Sequence, residues 1–158
     1  MKKLLILLFA VLFAACSSSI TRKEKKVLIY GSLEAWSDST SAPIFENFIS
    51  QLPEGISYDT TSNVVNLLEE NIQNYSALIF LNTGLEGLNP RNHTDIQRYT
   101  EAGSGILGVN ATISSPYYWP WLNEQLSNGI KAKVEFVNEV PNDLAKELNS
   151  LIGDNKYD

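Results

Sequence analysis

Three short apolar runs, each closing on glycine or a small polar residue, set the tightest limit on what this chain can fold into. They are Lys26-Val27-Leu28-Ile29-Tyr30-Gly31, Ser76-Ala77-Leu78-Ile79-Phe80-Leu81-Asn82-Thr83 and Gly105-Ile106-Leu107-Gly108-Val109-Asn110. Each is too short for a core helix and lacks polar alternation. Each therefore reads as a strand buried on both faces, as in a parallel sheet. The stretches between them have helical spacing. Ser41 to Leu52 places Ile44, Phe45, Phe48, Ile49 and Leu52 on one face, with Ser41 as N-cap and Pro43 in the first turn. Ile56 to Thr61 is a weaker strand, and Asn63 caps a helix with Val64, Leu67, Leu68 and Ile72 inward. Asn89-Pro90 opens a helix that runs to about Ala102. Residues 116–127 give a turn and a short helix. Lys131 to Asn138 alternates as a half-exposed strand does, and Asn142 to Ile152 closes with Leu144, Leu148, Leu151 and Ile152 inward.

Strand and helix alternate along the whole chain, with no internal repeat. The expected fold is α/β: a flavodoxin-like three-layer sandwich, with a mostly parallel sheet and helices on both faces. In such a sheet a ligand crevice lies beyond the carboxyl ends of the strands, at the switch in strand order. The segments to watch are Gly31 to Asp38, Asn82 to Gly87 and Asn110 to Ser115.

The first residues belong to a different logic. Lys2 and Lys3 precede an unbroken apolar run from Leu4 to Ala15, which ends Phe13-Ala14-Ala15-Cys16. The run has signal-peptide length and falls short of the ~20 residues a spanning helix needs. Small residues before the only cysteine resemble a bacterial lipobox. Residues 1–15 are thus expected to be an export signal, Cys16 the lipidated residue, and 16–25 a flexible tether, with the folded domain over 26–158. A thiol alkylated by a diacylglyceryl group leaves no cysteine for a disulfide, a metal or a nucleophile. The expected location is the cell envelope, anchored by lipid, at an outer membrane facing the periplasm, since Ser17 is not an inner-membrane retention aspartate.

Without the signal the chain carries 10 basic and 18 acidic residues. A net acidic domain is a poor nucleic-acid binder, so no nucleic-acid partner is expected. Gly103-Ser104-Gly105-Ile106-Leu107-Gly108 matches the dinucleotide glycine pattern letter by letter, yet it follows a helix and opens a strand, the reverse of the order that pattern requires. Gly103 reads instead as a helix C-cap. His93 is the only histidine and sits in the polar stretch Arg91-Asn92-His93-Thr94-Asp95. It reads as a surface helix residue at the end of its helix away from the crevice, which leaves a Ser-His-Asp triad without a base. Without a second histidine or a free thiol, no metal site and no cofactor are expected. Tyr117-Tyr118-Trp119-Pro120-Trp121 is the densest aromatic cluster, and two roles stand open for it: stacking on a sugar, or closing the core under a loop.

The order of these signals over residues 26–127 resembles the trehalose-utilisation (ThuA-like) family, whose fold is like that of class I glutamine amidotransferases. The segments that carry the resemblance are Ala77 to Thr83, Arg98-Tyr99-Thr100-Glu101-Ala102-Gly103, Gly105 to Val109 and Tyr118-Trp119-Pro120-Trp121. It implies a carbohydrate-related role and often an exported or lipid-anchored protein. Family members usually carry an aromatic-Arg-His-Asp-Ser run after the first strand. Here that stretch is Ala35-Trp36-Ser37-Asp38-Ser39, and Asn110 stands where a histidine is usual. The family's later C-terminal portion is also short here. The expected function is therefore sugar binding through a degenerate pocket made of Gly31, Ser32, Trp36, Ser37, Asp38, Asn82, Thr83, Asn110 and Trp119. The alternatives are an enzyme acting on a sugar or keto-sugar with Asp38 as acid or base, and a structural or interaction subunit without a working pocket.

Overall fold

The computed structural model describes residues 25–32, 42–111, 117–127, 134–137 and 141–152. Residues 1–24, Cys16 among them, lie outside the described residues, as do Trp36, Ser37 and Asp38.

Five strands form one sheet: β1 (Lys26–Tyr30), β2 (Ser57–Thr61), β3 (Ala77–Leu81), β4 (Gly105–Val109) and β5 (Val134–Val137). Their spatial order is β2-β1-β3-β4-β5, and every pairing is parallel. This is the flavodoxin-like order, with its switch point between β1 and β3. The helices are α1 (Ala42–Ser50), α2 (Glu69–Ile72), α3 (Pro90–Glu101), α4 (Pro120–Ser127) and α5 (Leu144–Ile152).

The apolar runs are buried on both faces because alternate side chains enter two separate cores. Val27, Ile29, Ala77, Ile79, Leu81, Leu107 and Val109 pack with Phe48 of α1 and with Leu144, Leu148, Leu151 and Ile152 of α5. Leu28, Tyr30, Leu78, Phe80 and Ile106 pack on the other face with Leu67, Ile72, Ile96, Tyr99, Trp119 and Leu122. A fully buried Leu, Ile or Phe contributes about 1.5–3 kcal/mol relative to exposure. A sheet clad on both sides is therefore what these strands require.

Helix α3 has both ends written into its residues. Asn89 accepts from the N–H groups of Arg91 and Asn92, while Asn92 Oδ1 accepts from Asn89 N at 3.2 Å, a reciprocal capping box. Gly103 ends the helix at φ 100°. There Gly103 N donates to Thr100 O (2.9 Å) and Ser104 N to Tyr99 O (3.3 Å), which is the Schellman pair of bonds. The glycine-rich hexapeptide is thus a helix stop and the start of a strand.

Asn92 also donates through Nδ2 to Val64 O at 2.8 Å and is fully buried. Its loss would leave the Val64 carbonyl and the Asn89 amide without partners. Asn92→Ala should lower unfolding free energy by about 1–3 kcal/mol, read from urea melts against the parent chain. An unchanged midpoint would show that the box carries no stability.

The segment after β2 differs from the expected single helix. Val64–Leu67 is one turn of 3₁₀ helix capped by Asn63, whose Oδ1 accepts from Val65 N at 3.0 Å. Leu68 then turns extended (ψ 151°) before the one-turn α2 begins. Two adjacent β-branched valines and an asparagine are weak helix formers. The restart is fixed from outside the segment: Asp95 Oδ2 of α3 accepts from Glu69 N at 3.1 Å. Leu67 and Ile72 are fully buried as expected, whereas Leu68 is half-buried.

Candidate functional site

The carboxyl edge of the sheet beside the switch point is built from the ends of β1, β3 and β4. Gly31 N donates to Thr61 O at 3.0 Å, so Gly31 is the last rung of the β1–β2 ladder rather than a loop residue. Ser32 follows it and is exposed. Beyond β3 and β4 stand Asn82 and Asn110. Both have φ 49°, the left-handed region that asparagine tolerates better than most residues. Asn82 N donates to Val109 O at 2.9 Å, and Asn110 Nδ2 donates to Asn82 Oδ1 at 2.6 Å. Two strained, polar positions on neighbouring central strands are thus tied together at the crevice. Backbone held in this way costs of order 1–3 kcal/mol per residue and concentrates at functional sites.

Of the residues named from sequence, Gly31, Ser32, Asn82, Thr83 and Asn110 lie along this edge. Thr83 Oγ1 donates to Gly84 O at 3.1 Å. Trp36, Ser37 and Asp38 fall outside the described residues. Trp119 does not serve as an open platform. It is 3% exposed, and its indole stacks on His93 with centroids 4.4 Å apart and 12° between planes. Trp121 packs against it at 5.8 Å. Of the two roles open to the aromatic cluster, closing the core is the one Trp119 fills.

His93 also departs from the expectation of a surface residue at the far end. In a parallel β-helix-β crossover the helix begins at the carboxyl edge of the preceding strand, so the first turn of α3 stands at the crevice end. His93 is half-buried there, between Trp119 and the edge-on ring of Tyr118 at 5.1 Å. Its Nε2 is shielded and has no hydrogen-bond partner among the described residues. Burial holds the imidazole below its ordinary value of 6.5. The ring is therefore neutral near pH 7, and its shielded nitrogen is out of reach of a ligand in the crevice.

This environment gives a pH dependence with a definite sign. Below 6.5 the unfolded chain binds a proton that the folded chain refuses, so this contribution to stability is complete above pH 6.5 and is lost as pH falls through the lower folded value. Urea midpoints taken stepwise below pH 6.5 should fall for the parent chain and fall less for His93→Phe, which keeps a ring and removes the proton. Equal slopes would contradict the buried neutral imidazole. Asp59, also held below its ordinary value, acts below 3.8, so the two windows separate.

The sequence reading missed two phenols at this edge. Tyr30, at the end of β1, is 9% exposed and sits edge-on to Phe80 at 5.8 Å. Burial pushes its hydroxyl above the ordinary tyrosine range, with a smaller push from Tyr118. Tyr118 Oη binds the Glu86 carbonyl at 2.8 Å and also contacts the Leu88 carbonyl. That contact pins the loop after β3 to the segment after β4. Tyr30 was legible only as the last apolar residue of a strand, and Tyr118 only as part of an aromatic run.

A family model described as "ThuA: Trehalose utilisation" matches residues 26–150. No curated protein matches the chain. Among solved structures, a ThuA-like protein from Bacteroides uniformis ATCC 8492 is similar at 21% identity with a TM-score of 0.46, covering 68% of this chain and 46% of that one. The chain thus spans less than half the length of that relative. The match over residues 26–150, on a five-stranded parallel α/β sheet, makes this chain a member of the ThuA trehalose-utilisation family, whose role is carbohydrate-related.

Proposed function

We propose that the protein binds a sugar at the carboxyl edge of its sheet and does so on the membrane surface of the cell envelope, anchored through lipid on Cys16. The observation that carries the sugar reading is the Asn82–Asn110 pair, held at φ 49° on both strands and joined at 2.6 Å. Asn110 is exposed, and donation from its Nδ2 leaves its carbonyl oxygen to accept from a ligand hydroxyl. Binding is favoured over catalysis because the usual histidine of this position is absent and the only histidine is enclosed by rings. Asp38 and Trp36, which follow β1 in sequence, extend the reading as a polar group and a stacking face. The anchor rests on the short apolar run that ends at Ala14-Ala15-Cys16, and the outer membrane is its proposed site.

Calorimetric titration with a panel of mono- and disaccharides tests the binding reading. Asn110→Gly keeps the left-handed backbone comfortable and deletes the carboxamide. It should weaken a bound sugar about tenfold, the value of one to two polar contacts, with little change in thermal stability. Undiminished affinity in both Asn110→Gly and Trp36→Ala would remove the site from consideration. The anchor is tested apart from it: cells fed a palmitate analogue should label the parent protein and not Cys16→Ser, and persistent label in that variant would refute lipidation at Cys16.

A further inference from the structure

A recess on the β2 flank of the sheet has none of the crevice residues in its lining. It has a volume of about 370 Å³ and is lined by Leu28, Asp59, Thr60, Thr61, Asn66, Asn71, Asn74 and Tyr75. That size falls in the range of small-ligand sites, roughly 300–1,000 Å³. Its floor is β1 and the edge strand β2, and its wall is the broken 3₁₀–α2 segment.

The lining is polar but electrically settled. Asp59 Oδ2 accepts from Tyr75 Oη at 2.6 Å and pairs with Lys26 Nζ at 2.7 Å. The Lys26 hydrogen bond, and then that of Tyr75, hold the Asp59 carboxyl below its ordinary range. Tyr75 is pushed up to about 12 by burial and then by Asp59, so it stays a neutral donor. Asp59, the only carboxylate among the described residues lining the recess, is therefore compensated, and an ionic ligand would meet no unpaired charge from these residues.

The three carboxamides are each fixed through their nitrogens. Asn66 Nδ2 donates to Thr61 Oγ1 at 2.8 Å, Asn71 Nδ2 to Val65 O at 2.9 Å, and Asn74 Nδ2 to Asn71 O at 3.4 Å. A carboxamide donating through nitrogen presents an oxygen that accepts. These three carboxamides, each with an oxygen able to accept, and the ring of Tyr75 line one open recess, with the buried Leu28 at its floor. Hydroxyl groups on a compact carbon skeleton match this set: many donors, no charge, and one apolar face.

We propose that this recess is a second ligand site, separate from the crevice, and that it takes a neutral polyol or sugar. The break in the helix after Asn63 makes the site possible, because a continuous helix would not hold Asn66, Asn71 and Asn74 as local anchors around it. The site and the crevice share no lining residue: its residues come from Leu28 of β1, from β2 and from the 66–75 segment, and the two meet at the backbone bond from Gly31 N to Thr61 O.

The test is nitrogen-15 NMR of the full domain, titrated with trehalose, glucose and, as a charged control, glucose 6-phosphate. Trehalose or glucose should produce saturable shifts in the side-chain amides of Asn66, Asn71 and Asn74. Asn74→Ala, an exposed change that removes the 3.4 Å bond to Asn71 O, should raise the dissociation constant about three- to tenfold, the worth of one hydrogen bond. Asn71→Ala should do the same, and Asn74→Ala keeps the test valid if Asn71→Ala disturbs the turn around Val65. Asn110→Gly should leave these shifts and their midpoint unchanged, even if crevice binding is lost. The proposal is overturned by non-saturable shifts, by shifts that respond to Asn110→Gly and not to Asn74→Ala, or by a response to the phosphate ester alone.

Discussion

Trp119→Ala should destabilise the fold by about 3–5 kcal/mol, the usual cost of truncating a large aromatic side chain in a packed core. Trp119 is 3% exposed and belongs to the core that contains Leu67, Phe80, Ile96 and Leu122. Its backbone carbonyl also accepts from Asn123 N at 3.1 Å, at the first turn of α4. A tryptophan kept for ligand stacking would lose affinity on truncation and keep its stability, so urea unfolding separates the two roles directly. A loss under about 1 kcal/mol would return Trp119 to the list of ligand platforms. The variant makes a second demand. Opening one face of His93 to water removes the burial that depresses it, so the imidazole should titrate closer to 6.5, and the acid-side slope of stability should shrink with it. Trp119→Phe, which keeps an apolar ring, should retain more of both effects.

What was legible in the sequence follows from which forces are local. The three apolar runs were readable because a strand buried on both faces has no polar positions to hide. The Asn89-Pro90 start and the Gly103 stop of α3 were readable because caps are made by residues next to the helix end. The break after Asn63 was not readable, since the bond that restarts the helix at Glu69 comes from Asp95, twenty-six positions beyond Glu69. The neutral, enclosed His93 was hidden for the same reason. Its neighbours in sequence are polar, and the rings that bury it follow β4. Asn82 and Asn110 could be named from sequence because both end apolar strands in a fold with a known crevice. Their shared hydrogen bond and left-handed backbone needed the pairing of β3 with β4. The flank recess left no sequence signal, because its acceptors are oriented only by contacts across the 3₁₀ break.

Gly105→Val should cost about 3 kcal/mol or more, at or above the upper end of ordinary overpacking. A Cβ at Gly105 would stand 2.7 Å from Leu151 Cβ, 2.8 Å from Leu151 O and 3.0 Å from Leu151 C. Two of these three atoms are backbone, so no rotamer change relieves the clash. Either β4 or α5 has to move. Helix α5 is the element with room to give, because it packs on the sheet through one face, with Leu144, Leu148, Leu151 and Ile152. Lifting its last turn would expose Leu151 and Ile152 and lose part of the core that also holds Val27, Ile79 and Leu107. Hydrogen exchange should therefore speed up first in α5, with β1 and β3 following only at the global unfolding limit. Gly105→Ala carries the same primary clash without the two further methyls and should fall between the parent and the valine variant. A smaller loss for valine than for alanine would mean that the spacing between β4 and α5 does not set the cost. The result bears on the glycine-rich hexapeptide as a whole: Gly103 serves the left-handed turn out of α3, and Gly105 admits the backbone of α5. Both roles are structural, and both place β4 so that Asn110 meets Asn82 at its end.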